Sequence, residues 1–262
     1  MAVSPQPFSN GAGDLVGRTC VITGASSGIG RAIAVALASA GGIVRAVGRR
    51  RDQLETTVGL AAGRGTITPH VADLSVDDEI VALVAELTRH VPGVGVLVHS
   101  AGTFSQDPVE AARIEDFDRQ YVANVRAPFL LTQALLPALR TNRGHVVFIN
   151  STVVFAARAK VGQYAATKHA LRAMADALRE EVAPDGIRVA SIYPGRTATP
   201  MQASIHRLEG KPYSPDGLLQ PEEVADVVLK VITLPPSADI TDVRVRPGRK
   251  PWHHGEERNG PG

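Results

Sequence analysis

The chain has 262 residues, of which 44% are hydrophobic, and a formal net charge of +2. This length and composition fit one large α/β domain with a substantial core. A charge this small argues against nucleic acid as a partner. The single cysteine, Cys20, excludes an intramolecular disulfide.

The N-terminal sequence MAVSPQPFSNGAG has neither the basic nor the apolar region of a secretion signal. The longest apolar runs are interrupted and shorter than a membrane span. We therefore expect a cytoplasmic protein with no membrane partner. The composition of the ends predicts flexible tails at residues 1–13 and 248–262, around one domain at 14–247.

Short apolar strands alternate with helices along the whole domain. The predicted strands are 18–23, 42–48, 66–72 (a weaker one), 95–100, 144–151, 187–193 and 240–247. The predicted helices are 30–40, 51–62, 76–90, Ile114–Leu139, one containing Tyr164 and Lys168, and Pro221–Leu234. This alternation predicts a doubly wound α/β fold, with a parallel sheet covered by helices on both faces.

A glycine-rich turn, TGASSGIG, joins the first strand to the first helix. Gly24 permits a tight turn, Gly28 lets the backbone approach a pyrophosphate, and Gly30 lets the helix pack closely on the strand. The helix N-terminus offers unpaired N–H groups to phosphates. The pattern indicates dinucleotide binding, although a purely structural turn remains the alternative.

The end of the second strand indicates which dinucleotide would bind. Enzymes that use NAD place a carboxylate there for the ribose 2′-hydroxyl. Here Arg49, Arg50 and Arg51 follow Gly48, and the first acid is Asp52. Arginine binds a 2′-phosphate bidentately, so we expect NADP(H). A solvated helix start is the alternative, although cations are disfavoured in a first helical turn.

Tyr164 and Lys168 are four residues apart, so a helix places them on one face, about 5–6 Å apart at Cβ. With four tyrosines and five lysines in the chain, about 0.08 such pairs are expected by chance. At an effective dielectric of about 20, a lysine charge about 5 Å away favours tyrosinate by about 3 kcal/mol, or roughly two pKa units. The pair indicates a proton-transfer device, with an ordinary helix surface as the alternative.

Ser151 ends the strand GHVVFINS, at the edge where sites form in parallel sheets. With TGASSGIG, ADL at 72–74, HSAG at 99–102, Asn124, YAATK at 164–168 and YPGRTAT at 193–199, the chain resembles the short-chain dehydrogenase/reductase family. The resemblance covers about residues 18–246 and implies seven strands in the order 3-2-1-4-5-6-7.

The resemblance also implies hydride transfer between a nicotinamide and a carbonyl or secondary-alcohol carbon. Tyr164 would donate or accept the proton, Ser151 would bind the substrate oxygen, Lys168 would bind the nicotinamide ribose and tune Tyr164, and Asn124 would hold a relay water. Arg49 with Arg50 would bind the 2′-phosphate. The other implied cofactor residues are Gly24, Ser26, Ser27, Gly28, Ile29, Gly30, Asp73, Leu74, Ser100, Ala101, Gly102, Pro194, Gly195, Thr197 and Thr199, and no metal is expected.

One further feature follows from the residues alone, and another is a departure from the family pattern. Pro128 has no N–H, so the Asn124 carbonyl should lose its helical partner and become a candidate water site, with a simple bend as the alternative. The segment HSAG replaces the usual Asn-Asn-Ala-Gly of the family. His99 is best interpreted there as a structural side chain, because Tyr164 already fills the acid/base role.

The substrate cover is expected at residues 199–217, following the sixth strand. A largely apolar pocket for a small carbonyl or alcohol is expected from Phe104, Ser151, Val153, Phe155, Tyr193 and Met201, although Phe155 and Met201 could equally be core residues.

The leading hypothesis is an NADP-dependent oxidoreductase, and the alternative is a non-catalytic NADP(H)-binding sensor, which would need no Ser151–Tyr164–Lys168 set. A sugar epimerase would need a longer C-terminal region. Apolar excess on the helices at 114–139 and around Tyr164 predicts a homodimer or homotetramer, which light scattering can test.

Overall fold

The computed structural model describes residues 15–89 and 93–248. The two predicted tails lie outside these residues, apart from Gly248. Within the described chain, seven strands form one sheet in the order β3-β2-β1-β4-β5-β6-β7, and every neighbouring pair is parallel. The predicted fold class and strand order are therefore confirmed.

The helices and strands follow the predicted alternation, with one additional helix, α7. The strands are β1 Thr19–Thr23, β2 Ile43–Gly48, β3 Thr66–Val71, β4 Val96–His99, β5 His145–Ile149, β6 Arg188–Pro194 and β7 Asp242–Val245. The α-helices are α1 Gly28–Ser39, α2 Arg51–Gly59, α3 Asp77–Thr88, α4 Ile114–Tyr121, α5 Ala127–Thr141, α6 Gly162–Val182, α7 Pro200–Leu208 and α8 Pro221–Ile232.

The core lies in two layers, one on each face of the sheet. Alternate residues of β1 enter opposite layers: Cys20 and Ile22 pack with α1 and α8, whereas Val21 packs with α3, α5 and α6. All five residues of β1 are buried. A central parallel strand covered on both faces therefore reads as a continuous apolar run, without polar alternation.

The predicted long helix from Ile114 is interrupted by one π-helical turn, Val122–Arg126. In this turn the Ala127 N–H donates to the Val122 carbonyl five residues earlier. The turn lies directly before Pro128, where the sequence predicted a disturbance of the helix. The combined helix 114–141 is long and apolar enough to span a membrane by composition alone. However, Leu131 and Leu135 are completely buried in the core, as in a core helix of a globular domain.

The strand order reverses direction at β1, which pairs with β2 on one side and β4 on the other. In doubly wound folds this switch point opens a crevice at the carboxyl ends of the strands. The loops that leave β1, β4 and β5 therefore meet at one edge of the sheet, where the candidate site lies.

Candidate active site

The turn between β1 and α1 requires glycine at two positions. Gly24 has a φ of +68°, and a Cβ there would lie 2.8 Å from the Ala101 backbone. A Cβ on Gly30 would lie 2.4 Å from the Gly24 carbonyl oxygen. The side chain of Ser27, the N-cap residue of α1, makes no capping hydrogen bond. The first N–H groups of α1 are therefore available to an anion at the end of β1.

A cavity of about 950 Å³, here called the first cavity, opens at this helix end. It brings together most of the sequence-predicted cofactor residues: Gly24, Ser26, Ser27, Gly28, Ile29, Gly30, Arg49, Arg50, Asp73, Leu74, Ser100, Ala101, Gly102, Asn124, Tyr164, Lys168 and Thr199. Three others, Pro194, Gly195 and Thr197, do not line it and instead face a neighbouring cavity.

Charged groups stand at the far end of the first cavity. Arg49 and Arg50 follow β2, are exposed and line the cavity. Neither forms an ion pair with a carboxylate of the described residues. Asp73 is fixed by hydrogen bonds from the Ser75 backbone N–H, at 2.9 Å, and hydroxyl, at 2.7 Å. These bonds hold the pKa of Asp73 below its ordinary value, so it remains a carboxylate.

The neighbouring cavity, of about 770 Å³, is here called the second cavity. It contains four of the predicted substrate residues, Phe104, Ser151, Val153 and Met201. The two cavities share Tyr164 in their linings, together with Ile29, Asn150, Thr199 and Met201. Tyr164 thus stands where a ligand in one cavity would meet a ligand in the other.

Two predicted substrate residues do not line either cavity. Tyr193 is 1% exposed within β6, where its phenol donates to Asp242 at 2.6 Å. Phe155 is 43% exposed and its ring packs edge-on against Tyr193, with 5.0 Å between ring centroids. The cavities therefore give these two predictions no support, since position in or after a strand does not show towards which side of the sheet edge a ring turns.

Tyr164 and Lys168 lie on one face of α6, as their spacing predicted. The Lys168 Nζ is 5.8 Å from the centroid of the Tyr164 ring and donates to the Ile149 carbonyl at 3.0 Å. Phe104 packs edge-on against the Tyr164 ring, with 5.0 Å between centroids. Ser151 is hydrogen-bonded to the Tyr164 phenol. The phenol therefore has a polar partner, an apolar cover and a nearby ammonium group.

The pKa of Tyr164 differs from the sequence expectation. Burial raises it to about 12, and the hydrogen bond with Ser151 opposes this shift only in part. Burial also lowers the pKa of Lys168 to about 8. The sequence estimate counted the attraction between tyrosinate and lysine but omitted the cost of removing both groups from water. In the protein alone, the phenol therefore keeps its proton at neutral pH.

The Asn124 side chain makes three hydrogen bonds to other residues of the protein. Its Oδ1 accepts from the Thr103 N–H at 2.8 Å, and its Nδ2 donates to the Thr103 carbonyl at 3.0 Å and to Thr167 Oγ1 at 3.1 Å. The side chain therefore joins the loop after β4 to α6. The predicted water site at its main-chain carbonyl stays a prediction.

Sequence reasoning missed two further amides that hold the site together. Asn150 donates to the Lys168 carbonyl at 3.2 Å and accepts from the Ser151 N–H at 2.9 Å, which ties β5 to α6. The buried Gln120 donates to Ser105 Oγ at 2.7 Å and accepts from the Ser105 N–H at 3.1 Å. Asn150 could have been identified from the sequence because it immediately precedes Ser151 at the end of a strand. No local sequence pattern identifies Gln120.

Comparison with known proteins gives one consistent result. Residues 18–210 match the model of the short chain dehydrogenase family. An uncharacterized oxidoreductase of Staphylococcus epidermidis is 31% identical over 232 residues, covering 88% of this chain and 97% of its own. The chain belongs to the short-chain dehydrogenase/reductase family.

Solved structures of the family have the same architecture. A metagenomic short-chain oxidoreductase in complex with NADP is 29% identical, with a TM-score of 0.78 over 90% of this chain and 99% of that one. An alcohol dehydrogenase from Thermococcus sibiricus, complexed with 5-hydroxy-NADP, is 28% identical, with a TM-score of 0.80 over 90% of this chain and 99% of that one.

The departure of this short-chain dehydrogenase at HSAG has a structural explanation. His99 is 3% exposed, stacks on Phe148 with 5.0 Å between centroids, and has its Nε2 2.8 Å from Thr132 Oγ1. Burial lowers its pKa to about 3, so the ring is neutral. Thr23 Oγ1 accepts from the N–H groups of Ser100, at 3.0 Å, and Ala101, at 3.1 Å. These bonds hold β4 to β1, and His99 fills a structural position.

The second cavity of this short-chain dehydrogenase also contains charges that the sequence prediction missed. Its lining includes six basic side chains besides the apolar residues: Arg158, Lys160, Arg196, Lys211, Arg244 and Arg246. They come from separate loops and from β7, so no local spacing marks them. Among the described residues, no group of three or more His, Cys, Asp or Glu side chains could hold a metal ion.

Proposed function

We propose that this protein is an NADP(H)-dependent oxidoreductase that transfers hydride between the nicotinamide and a carbonyl or secondary-alcohol carbon. The observation that carries the proposal is the meeting of the two cavities at Tyr164, beside Lys168 and hydrogen-bonded to Ser151. A dinucleotide in the first cavity would thus have its reactive end beside a substrate in the second.

The first cavity fits a dinucleotide. Its volume of about 950 Å³ and the open N-terminus of α1 suit a long anionic ligand. Arg49 and Arg50 favour NADP(H) over NAD(H), because two guanidinium groups that form no ion pair with a carboxylate of the described residues suit a 2′-phosphate. Asp73 and Leu74 would contact the adenine. One related structure binds NADP and another binds 5-hydroxy-NADP, which supports this choice.

When bound, the nicotinamide supplies or accepts the hydride and, when oxidised, brings a positive charge. The protein supplies the proton. Because burial raises the pKa of Tyr164 to about 12, the neutral phenol predominates at pH 7. Tyr164 is then ready to protonate the oxygen of a carbonyl as hydride reaches its carbon. The protonated phenol is the form that carbonyl reduction requires.

Ser151 and Lys168 have the other two roles beside Tyr164 in the proposed reaction. Ser151 is placed to donate to the substrate oxygen, because its hydroxyl lines the second cavity beside the Tyr164 phenol. Lys168 has one contact to the Ile149 carbonyl and also lines the first cavity. It can therefore hold the nicotinamide ribose while its charge favours tyrosinate during proton transfer.

The decisive experiment compares wild type with Tyr164→Phe, which removes one oxygen atom. Oxidation of NADPH is followed at 340 nm against a panel of aldehydes and ketones. Wild type should turn over, and Tyr164→Phe should lose at least about a hundredfold in kcat, the lower end for a lost general acid.

The matched control is Tyr121→Phe, since Tyr121 is 45% exposed on α4 and lines neither cavity. This control should keep the wild-type rate. NADPH binding by Tyr164→Phe, measured by fluorescence, should also persist, which would separate a chemical defect from an unfolded protein. Near-normal turnover by Tyr164→Phe would assign the chemistry to another group.

A further inference from the structure

The second cavity is far more basic than the chain that encloses it. The whole protein is nearly balanced, with 28 Lys and Arg against 26 Asp and Glu. The lining of the second cavity holds six basic side chains and, among the described residues, a single carboxylate, Glu209. A random stretch of solvated surface would hold similar numbers of both signs. The excess of cations is therefore a local property of this cavity.

The single carboxylate of this lining already forms two ion pairs. Glu209 contacts Arg196 at 2.5 Å and Lys211 at 3.1 Å. Although burial acts to raise the pKa of Glu209, hydrogen bonds from these two cations outweigh it and hold the pKa below its ordinary value. Glu209 is thus a permanent anion shared by two cations, and it has no capacity to neutralise the remaining four.

Those four cations, Arg158, Lys160, Arg244 and Arg246, form no ion pair with any carboxylate of the described residues. They approach the cavity from two directions. Arg158 and Lys160 lie between β5 and α6, on the approach to Tyr164, whereas Arg244 and Arg246 lie at the carboxyl end of β7. All four are exposed, and like charges grouped around one cavity attract an anion to it.

Contacts fix two of these residues at the cavity, the backbone of Lys160 and the side chain of Arg244. Lys160 has a left-handed φ of 71°, and its carbonyl accepts from the Asp107 N–H at 2.8 Å. The Arg244 guanidinium lies 4.6 Å from the centroid of the Phe155 ring. A left-handed non-glycine residue is strained and persists only where its surroundings fix it. Arg244 is similarly placed by a cation–π contact.

We propose that the substrate carries an oxyanion group, a carboxylate or a phosphate, which the unpaired cations Arg158, Lys160, Arg244 and Arg246 bind. Its carbonyl lies at Tyr164 and its apolar body rests on Phe104, Val153 and Met201, which line the same cavity. Guanidinium groups suit this role because their paired N–H groups match the two oxygens of such anions. The inference rests on the proposed function and names the substrate class.

The test uses two pairs of probes, each a carboxylic acid with its uncharged methyl ester, and one phosphate probe. These are 4-formylbenzoate with its methyl ester, 5-oxohexanoate with its methyl ester, and 4-formylphenyl phosphate. NADPH oxidation is measured at low ionic strength. We expect kcat/KM for the better acid to exceed that of its ester by about tenfold or more, and to fall as salt is added. The phosphate probe shows which oxyanion is preferred.

Two variants locate the effect. The double variant Arg158→Gln/Arg244→Gln should bring the acid-to-ester ratio close to one. Arg207 is an exposed residue of α7 that does not line the second cavity. Arg207→Gln should therefore keep the wild-type ratio. Equal ratios in wild type and the double variant, or equal use of acid and ester by wild type, would overturn the inference while leaving hydride transfer intact.

A second readout does not depend on turnover. The NADPH-bound protein is titrated with each acid and ester by calorimetry. If no probe is reduced, the proposed function fails for these probes, but tighter binding of acid than ester, lost in the double variant, still supports the oxyanion site. Equal or undetectable binding of both members of every pair overturns it.

Discussion

The two cavities that meet at Tyr164 are built in different ways. The first depends on close backbone packing, since a Cβ on Gly24 would lie 2.8 Å from the Ala101 backbone and a Cβ on Gly30 would lie 2.4 Å from the Gly24 carbonyl oxygen. The second is formed mainly by side chains on loops, among them cations from residue 158 to residue 246. A backbone cavity requires particular residues at fixed spacing, whereas a side-chain cavity leaves residue choice free to select a substrate.

The largest effect that would sharpen this comparison is expected at Lys168, which lines the first cavity beside the shared residue Tyr164. Lys168→Met keeps the volume but removes the charge that is proposed to hold the ribose and to favour tyrosinate. We expect kcat/KM for NADPH to fall at least about a hundredfold. The exposed control Lys230→Met, on α8, should leave the rate unchanged.

The same variant should make the protein more stable. Burial lowers the pKa of Lys168 from 10.5 to about 8, which corresponds to a cost of about 3 kcal/mol for the charged form. Losing the hydrogen bond to Ile149 offsets about 1 kcal/mol of this. The cost is fully present below pH 8, where both folded and unfolded lysine are charged, and is relieved as pH rises from about 8 to 10.5.

Thermal unfolding of wild type and Lys168→Met between pH 7 and pH 10.5 tests this sign. The melting temperature of the variant should exceed that of wild type at pH 7, and the difference should shrink as pH rises. A variant that is less stable at pH 7 would show that the contact with Ile149 outweighs burial of the charge. Function at this residue is therefore expected to oppose stability.

A smaller effect is expected at the far end of the first cavity. Arg49→Ala should weaken NADPH binding about ten- to a hundredfold, which corresponds to about 1.5–3 kcal/mol for a charge-assisted contact. NADH binding should change little, because NADH has no 2′-phosphate. Fluorescence titration of both cofactors measures the difference.

Arg51→Ala is the matched control for this cofactor test. Arg51 is two residues further along the chain but lies outside the cavity, 3.8 Å from Glu55. Its loss should leave the preference for NADPH intact. If Arg49→Ala keeps the full preference, the 2′-phosphate is held by Arg50 or by another group.

The contrast between the cavities also explains what could be predicted from the sequence. Gly24, Gly30, Ser151, Tyr164 and Lys168 could be identified because backbone clearance and helical spacing fix where they occur. The orientations of Phe155 and Tyr193 depend on how β6 and the turn after β5 pack, which no local pattern records. The cations of the second cavity act together only after folding, because more than eighty residues separate Arg158 from Arg244.

The smallest expected effect distinguishes a glycine that the fold requires from one that it tolerates. Gly30→Ala would place a methyl group 2.4 Å from the Gly24 carbonyl, so either the turn or α1 must move. We expect a loss of about 1–3 kcal/mol in the free energy of unfolding, as for overpacked sites, together with weaker NADPH binding.

Gly162→Ala is the matched substitution in α6, where a Cβ would meet nothing within 4 Å. It should stabilise the protein by about 0.4–1 kcal/mol, because alanine has less conformational freedom than glycine in the unfolded chain. Chemical denaturation measures both variants. If Gly30→Ala were as stable as wild type and bound NADPH equally well, the first cavity would tolerate side chains like the second, and the distinction drawn between them would fail.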